Sequence, residues 1–128
     1  MFSHSFISID EVVEESNLFR ILKNFGADLV DSSAKSFSFD TSGFSTYVTS
    51  NKYIIRYLGE EFALSYSTVE ENVTESGGLS LSKTYICVLT TETSLDLLQK
   101  LSQYFEVSIE IGNSQNRNLS NRFIRNLL

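Results

Sequence analysis

The stretch SFSFDTSGFSTYVTSNKYIIRYLGEEFALSYS, residues 36–67, decides the fold, because apolar and polar side chains alternate within short runs. Alternation with a period of two is typical of strands that bury one face. Turn-forming residues separate the runs and indicate turns at 41–43, 50–52 and 59–61. The stretch therefore predicts an antiparallel meander with strands at 36–40, 44–49, 53–58 and 62–67.

Helical periodicity replaces this alternation on the N-terminal side of the meander. Ser8 and Glu11 have the spacing of a capping box, and Gly26 stands where a helix end favours a left-handed residue. The apolar stripe changes sides midway, so a second N-cap is expected at Ser16. The pattern predicts a helix over 10–25 with a break or strong bend near Ser16.

A second helix is predicted on the C-terminal side, over 94–105, with Thr93 and Asp96 as its N-terminal caps. Its apolar residues recur at helical spacing from Leu97 to Phe105. The remaining runs and loops predict strands at 4–9, 27–31, 83–90 and 106–111, an acidic loop at 68–82, and a short last helix at 117–128.

These elements predict an α+β fold in a single domain over residues 1–112, followed by a tail over 113–128. A strand–helix–strand unit at each end of the antiparallel β-meander would form a ferredoxin-like frame with inserted strands, followed by the short C-terminal helix. The alternative is one curved antiparallel sheet with both helices on a single face. A chain of 128 residues is long enough to bury such a core without metal or disulfide cross-links.

Composition narrows the classes of function and location. The net charge of −6 would repel a polyanion on average, which argues against general binding of duplex nucleic acid. The single cysteine, Cys87, excludes an internal disulfide and favours a reducing compartment. The N-terminal segment lacks the features of a signal or transit peptide, and the longest apolar run, 85–89, is far too short for a membrane span. We therefore expect a cytoplasmic protein with no membrane span.

The residues that could carry catalysis are few and lack neighbours that would activate them. His4 is the only histidine, and Cys87 stands within an apolar strand, where burial raises a thiol pKa and suppresses reactivity. The acidic residues at 10–15 and 68–82 match no calcium-loop spacing and are typical of a solvated face. We predict no enzymatic activity, no metal site and no cofactor. The alternative is an enzyme that binds a divalent metal through at least three converging carboxylates.

Aromatic residues are concentrated in the meander. If their rings were exposed, they could stack unpaired bases, so a single-stranded RNA-binding domain is a second alternative. Few basic residues accompany them, and their period of two fits the core face of a sheet better. The aromatic residues concerned are Phe37, Phe39, Phe44, Tyr47, Tyr53, Tyr57, Phe62 and Tyr66.

Charge is distributed unevenly between the domain and the tail. The tail has three arginines and no acid, whereas residues 1–112 hold all sixteen acids against seven bases, a charge of −9. On a helix the apolar residues of the tail would form one stripe. Such a basic amphipathic segment can pack on its own domain, dock into a groove of another chain, or contact nucleic acid or an anionic membrane. We rank docking on another chain above contact with nucleic acid, because three arginines are few for nucleic acid, and packing of the tail on its own domain stays open as the simplest interpretation.

The predicted function is that of a non-catalytic protein-binding module, either an inhibitor or immunity-type protein or an assembly subunit. Its partner is another protein or a copy of itself, in which case the chain forms a homo-oligomer. The inhibitor version presents acidic residues to a basic target, and the subunit version uses the tail as an anchor. The residues predicted to bind the partner are Arg117, Leu119, Arg122, Phe123, Arg125 and Leu127 in the tail, and Glu60, Glu61, Glu70, Glu71 and Glu75 in the domain.

Overall fold

A computed structural model describes the backbone of residues 3–41, 44–73 and 79–112, and the side chains of 3–33, 48–70 and 82–112. In this part of the chain the fold is α+β, as predicted, and a six-stranded antiparallel sheet carries two helices. The elements in chain order are β1 (His4–Ile9), α1 (Glu15–Asn24), β2 (Asp28–Thr41), β3 (Phe44–Tyr57), β4 (Glu60–Val73), β5 (Leu79–Leu89), α2 (Glu92–Phe105) and β6 (Glu110–Gly112).

The strands follow the spatial order β2-β3-β4-β5-β1-β6, and each neighbouring pair is antiparallel. β2 to β5 form the meander, and β1 inserts between β5 and β6. Both helices pack on one face of the sheet, which we call the helix face, and the opposite face is the open face. The core of the helix face joins Leu18, Ile21 and Leu22 of α1 and Leu97, Leu98 and Leu101 of α2 to Ile7, Tyr53, Ile55, Leu64, Tyr66 and Ile86 of the strands.

The strands of the meander are longer than the sequence predicts. The runs at 27–31 and 36–40 merge into β2, and β3 passes without interruption through the predicted turn at 50–52. That turn is wrong, because Ser50 and Asn51 are buried within the sheet. Polar residues are accommodated there because a strand on each side satisfies their backbone hydrogen bonds.

The predicted acidic loop at 68–82 is also wrong wherever the structure describes it. β4 continues to Val73 and β5 begins at Leu79, and the two strands stay in register along this length. Glu70 therefore lies on a strand rather than in a loop. Cross-strand pairing overrides the low strand propensity of these polar residues.

The turn between β3 and β4 is Leu58-Gly59 rather than the predicted 59–61. Tyr57 and Glu60 pair directly across it, and φ is positive at both turn residues, 51° at Leu58 and 80° at Gly59. Two positive φ values are typical of a type I′ turn, whose twist matches that of the flanking strands. Leucine is strained in this conformation because its Cβ crowds the following carbonyl.

We expect Leu58→Asn to stabilise the fold by about 0.5–1 kcal/mol, because asparagine tolerates the left-handed region. Little apolar burial is lost, since the Leu58 side chain is already exposed. Urea unfolding measures the change, and Leu58→Val is the control, because a β-branched residue should lower stability at the same position. Equal stability of all three proteins would contradict the proposed strain.

The first helix is shorter than predicted. α1 starts at Glu15, and its N-cap residue, Glu14, makes no side-chain cap hydrogen bond. The predicted caps are wrong, because Ser8 lies in β1 and Ser16 lies inside the helix. The left-handed glycine predicted after the helix is confirmed at Gly26, where φ is +89°.

A contact from β5 holds the segment 10–14 out of the helix. The N–H of Val13 donates to Thr84 Oγ1 at 2.9 Å, and the Thr84 hydroxyl donates to the carbonyl oxygen of Glu11 at 2.7 Å. The Thr84 side chain thus satisfies one donor and one acceptor of a segment that has left β1 and has not yet entered α1.

The second helix starts earlier than predicted and uses different caps. Thr91 and Ser94 form a capping box, in which the N–H of Ser94 donates to Thr91 Oγ1 at 3.0 Å and the N–H of Thr91 donates to Ser94 Oγ at 2.9 Å. The predicted caps Thr93 and Asp96 lie inside α2 instead. The sequence predicts an acidic partner for the capping residue. In the structure a serine hydroxyl accepts the corresponding hydrogen bond from the N-cap N–H.

The chain after α2 is mostly a connection rather than a strand. Glu106 closes the helix in the left-handed region with φ at 57°, and β6 covers only Glu110–Gly112, so the predicted strand at 106–111 is too long. Val107 and Ile109 are partly buried against the helix-face core, which explains their alternation. None of the described helices is long and apolar enough to cross a membrane.

Candidate functional site

The predicted tail, 113–128, lies outside the described residues, and its last helix therefore stays a prediction. The same holds for Glu75 and for the tail residues predicted to bind a partner, Arg117, Leu119, Arg122, Phe123, Arg125 and Leu127. Glu71 lies in β4, at a register position between Thr46 of β3 and Leu81 of β5.

The other predicted acidic residues are exposed, and the fold separates them into two groups. Glu60 and Glu61 begin β4, whereas Glu70 lies near its other end. Ten residues of strand at ~3.3 Å each place the two groups roughly 30 Å apart. Glu61 is also partly neutralised, because its Oε2 lies 3.6 Å from Nη2 of Arg56. The predicted acidic residues therefore do not form one continuous patch.

The fold brings Glu70 towards a second acidic segment that the sequence placed on a helix. Thr68 pairs with Thr84, and Thr84 pairs with Ile9 at the end of β1. The segment 10–15 therefore starts about two strand spacings, roughly 10 Å, from β4. We call the exposed acids at this end of the sheet the acidic rim, and they are Asp10, Glu11, Glu14, Glu15 and Glu70.

Few cations oppose the acidic rim. Asp10 lies 3.8 Å from Nζ of Lys83, and both groups are substantially exposed. The ion pairs among the described residues leave Glu11, Glu14 and Glu70 without a cation. The sequence predicts that the acids at 10–15 form an ordinary solvated helix face. Their position near β4 follows only from the strand register, which no local pattern shows.

A buried polar network anchors the rim to the sheet. The Asn51 amide donates to Glu15 Oε2 at 2.5 Å and to the Tyr53 hydroxyl at 3.0 Å. The Tyr66 hydroxyl donates to the carbonyl oxygen of Val13. Burial raises the pKa of Tyr66, and the nearby carboxylates of Glu15 and Glu14 raise it further. Because these tyrosines stay neutral and hydrogen-bonded, the start of α1 is held in one place.

A second network joins α2 to β3 at the opposite end of the helix face. The Tyr57 hydroxyl donates to Asp96 Oδ2 at 2.5 Å and accepts from Lys100 Nζ at 2.6 Å. Burial raises the pKa of Tyr57, and the carboxylate of Asp96 adds to the effect. The hydrogen bond to Tyr57 is the main reason that the pKa of Lys100 is raised. These groups satisfy one another, so the network acts as a clamp between α2 and the sheet.

The meander aromatics with described side chains lie in the core, which supports the core interpretation over base stacking. Tyr53, Tyr57 and Tyr66 are buried on the helix face, and Phe62 packs against the same core. Tyr53 also makes an edge-to-face contact with Phe19 of α1, with ring centroids 4.9 Å apart. Phe37, Phe39, Phe44 and Tyr47 have side chains outside the described set.

The remaining candidates are the Cys87 thiol, possible metal-binding clusters and a surface groove. The Cys87 thiol is buried, and burial raises its pKa to about 12. No three His, Cys, Asp or Glu side chains within the described parts of the chain come close enough to hold a metal ion. A shallow groove of about 330 Å³ between α1 and the start of β2 is lined mainly by Phe19, Leu22, Leu29 and Ile55.

Comparisons with protein-family models, with curated proteins and with solved structures found no significant match.

Proposed function

We propose that the chain is a non-catalytic protein-binding module of the cytoplasm, an inhibitor or immunity-type protein or an assembly subunit. The observation that carries this proposal is the acidic rim, which two distant segments of the chain build on a rigid support. Glu11, Glu14 and Glu70 are exposed there, and no cation among the described side chains pairs with them. A fixed group of like charges favours a partner that presents basic residues in a complementary arrangement.

The inhibitor version of the proposal places a basic protein surface on the acidic rim. The negative potential of the domain would steer such a target towards the rim and raise the association rate more than the affinity. Glu71 and Glu75 stay predicted contacts of the same partner in this version of the proposal. Glu60 and Glu61 would contact the same partner only if its interface reached the far end of β4.

The subunit version of the proposal uses the tail as an anchor on a neighbouring protein or on a copy of the same chain. It is supported by the contrast between a tail charge of +3 and a domain charge of −9. The ferredoxin-like frame belongs to this proposal as well, with β1–α1–β2 and β5–α2–β6 as the repeated units. Among the described aromatic and acidic side chains, nothing favours the alternatives of RNA binding or metal-dependent catalysis.

Reversing charge on the acidic rim is expected to slow partner association about tenfold at low salt, because steering depends on the local field. The test uses the partner recovered by co-purification from the native host and identified by mass spectrometry. Glu14→Lys/Glu70→Lys is compared with Glu106→Lys/Glu110→Lys, a control with the same change in net charge at exposed sites away from the rim. The difference should shrink as added salt screens the charges.

Two results would count against the rim as the binding surface. One is an unchanged association rate for Glu14→Lys/Glu70→Lys. The other is an equal decrease in both double variants, which would assign the effect to net charge alone. A decrease only for Glu60→Lys/Glu61→Lys would move the interface to the other end of β4.

A further inference from the structure

The open face of the sheet is buried at its centre, although both helices lie on the other side. Phe6 is 1% exposed, Cys87 is 2% exposed and Ser65 is 3% exposed. The three residues lie side by side, because Phe6 pairs with Cys87 across β1 and β5, and Cys87 pairs with Ser65 across β5 and β4. Ser65 Oγ is buried and has no hydrogen-bond partner among the residues that the structure describes.

The described neighbours within the sheet account for only part of this burial. Side chains stand roughly perpendicular to a sheet, so a phenyl ring is hidden only by groups that rise as high as the ring. Of the four residues two positions from Phe6 and Ser65 on the same face, Ser8, Ala63 and Ser67 are small and only His4 carries a ring. Tyr85 packs against the Phe6–Cys87 pair and is itself only partly buried.

The described connecting segments lie on the helix face rather than on the open face. Val13 of the β1–α1 segment reaches Thr84 and belongs to the helix-face core. Val107 and Ile109 of the α2–β6 segment pack against the same core. A cover for Phe6 must therefore come from another part of the chain.

The tail starts near Phe6 and is long enough to cross the open face. Gly112 pairs with His4 in β1, two residues before Phe6, so the tail leaves β6 about 10 Å from Phe6 and two strands away from β5, which holds Cys87. A helix over 117–128 would be ~18 Å long, which crosses about four strands at ~4.8 Å each. Its stripe of Leu119, Phe123 and Leu127 would place one apolar side chain in each successive turn.

We propose that residues 113–128 fold back across the open face of their own sheet, with the stripe of Leu119, Phe123 and Leu127 over Phe6 and Cys87. This inference does not rest on the acidic rim, which lies on the helix side and stays accessible. It adds a condition to the subunit version of the proposed function: the tail must leave the open face before it can anchor on a neighbour, and its departure exposes Cys87.

The single cysteine allows a direct test of this proposal by thiol labelling of the native full chain. Phe123→Asp is expected to raise the labelling rate of Cys87 about tenfold to a hundredfold, since it removes the apolar contact of one aromatic ring. Asn121→Asp is the matched control, because it adds the same charge on the opposite side of the tail helix and should change the rate less than about twofold. Far-UV circular dichroism checks that both variants stay folded.

A second measurement does not depend on destabilising the tail. Cysteine is placed singly by Leu119→Cys, Phe123→Cys or Leu127→Cys, and mild oxidation should join at least one of these to Cys87 within a monomer. The proposal stands only if both results are obtained. A disulfide that forms only between two molecules would assign the open face to the tail of a second copy, and no disulfide with unchanged Cys87 labelling would leave the tail elsewhere; either outcome overturns it.

Discussion

Asn51→Asp is expected to lower the free energy of unfolding by about 3–5 kcal/mol near neutral pH, the usual penalty for an uncompensated buried charge. Asn51 is 6% exposed, and its amide donates to Glu15 and to Tyr53. A carboxylate at the same position donates nothing and lies against the Glu15 carboxylate. Repulsion between the two groups is strong because little water separates them.

The loss caused by Asn51→Asp should depend on pH with a defined sign. Burial and the Glu15 carboxylate raise the pKa of the new carboxyl in the folded state above its unfolded value of about 3.9. The folded state therefore holds the proton more tightly, so the penalty is small below about pH 4 and grows as pH rises through the folded pKa. Urea unfolding at several pH values measures this dependence.

Asn17→Asp is the matched control for that variant. Asn17 is exposed in the first turn of α1, where a negative charge interacts favourably with the helix dipole. We expect its stability to equal that of the parent within about 0.5 kcal/mol. If Asn51→Asp behaved like this control, the interpretation of 50–52 as a buried part of β3 would be wrong, because aspartate is well tolerated in an exposed turn.

Leu97→Ala is expected to lower the free energy of unfolding by about 2–5 kcal/mol. Leu97 is fully buried, and it lies in the cluster that joins α2 to α1 and to the central strands. Truncation removes apolar contacts and leaves a cavity that the neighbouring strands cannot close without losing their register.

Leu58→Ala is the control for the core variant. Leu58 is 68% exposed, so the same chemical deletion removes little buried area. Urea unfolding should show a change below about 0.5 kcal/mol. A loss below 1 kcal/mol for Leu97→Ala would contradict the position of α2 on the helix face, because a fully buried leucine typically costs more.

The two helices illustrate how far the sequence predicts this fold. The apolar stripe from Leu97 to Phe105 depends on spacing within one helix, and α2 forms there. The glycine after α1 is similarly local, and Gly26 adopts the left-handed conformation that the position favours. The start of α1 depends instead on Thr84, whose side chain holds Val13 and Glu11 from a distant strand. No local pattern in residues 8–16 encodes that contact.

The candidate site shows the same division. Exposure of Glu60, Glu61 and Glu70 follows from charge, which rarely tolerates burial. The distribution of these acids over the surface does not follow from their charge, because it depends on the register of β4 against β5 and β1. That register separates Glu60 from Glu70 and brings Glu70 towards the segment that begins at Asp10.

The sequence by itself determined the α+β class, the meander and the two amphipathic helices, because periodicity and turn chemistry act between residues a few positions apart. The tertiary structure decided the insertion of β1 between β5 and β6, the passage of β3 through Ser50 and Asn51, and the assembly of the acidic rim. Those features rest on hydrogen bonds and packing between residues tens of positions apart. Such contacts can satisfy a buried polar group that local propensity alone would place in a turn.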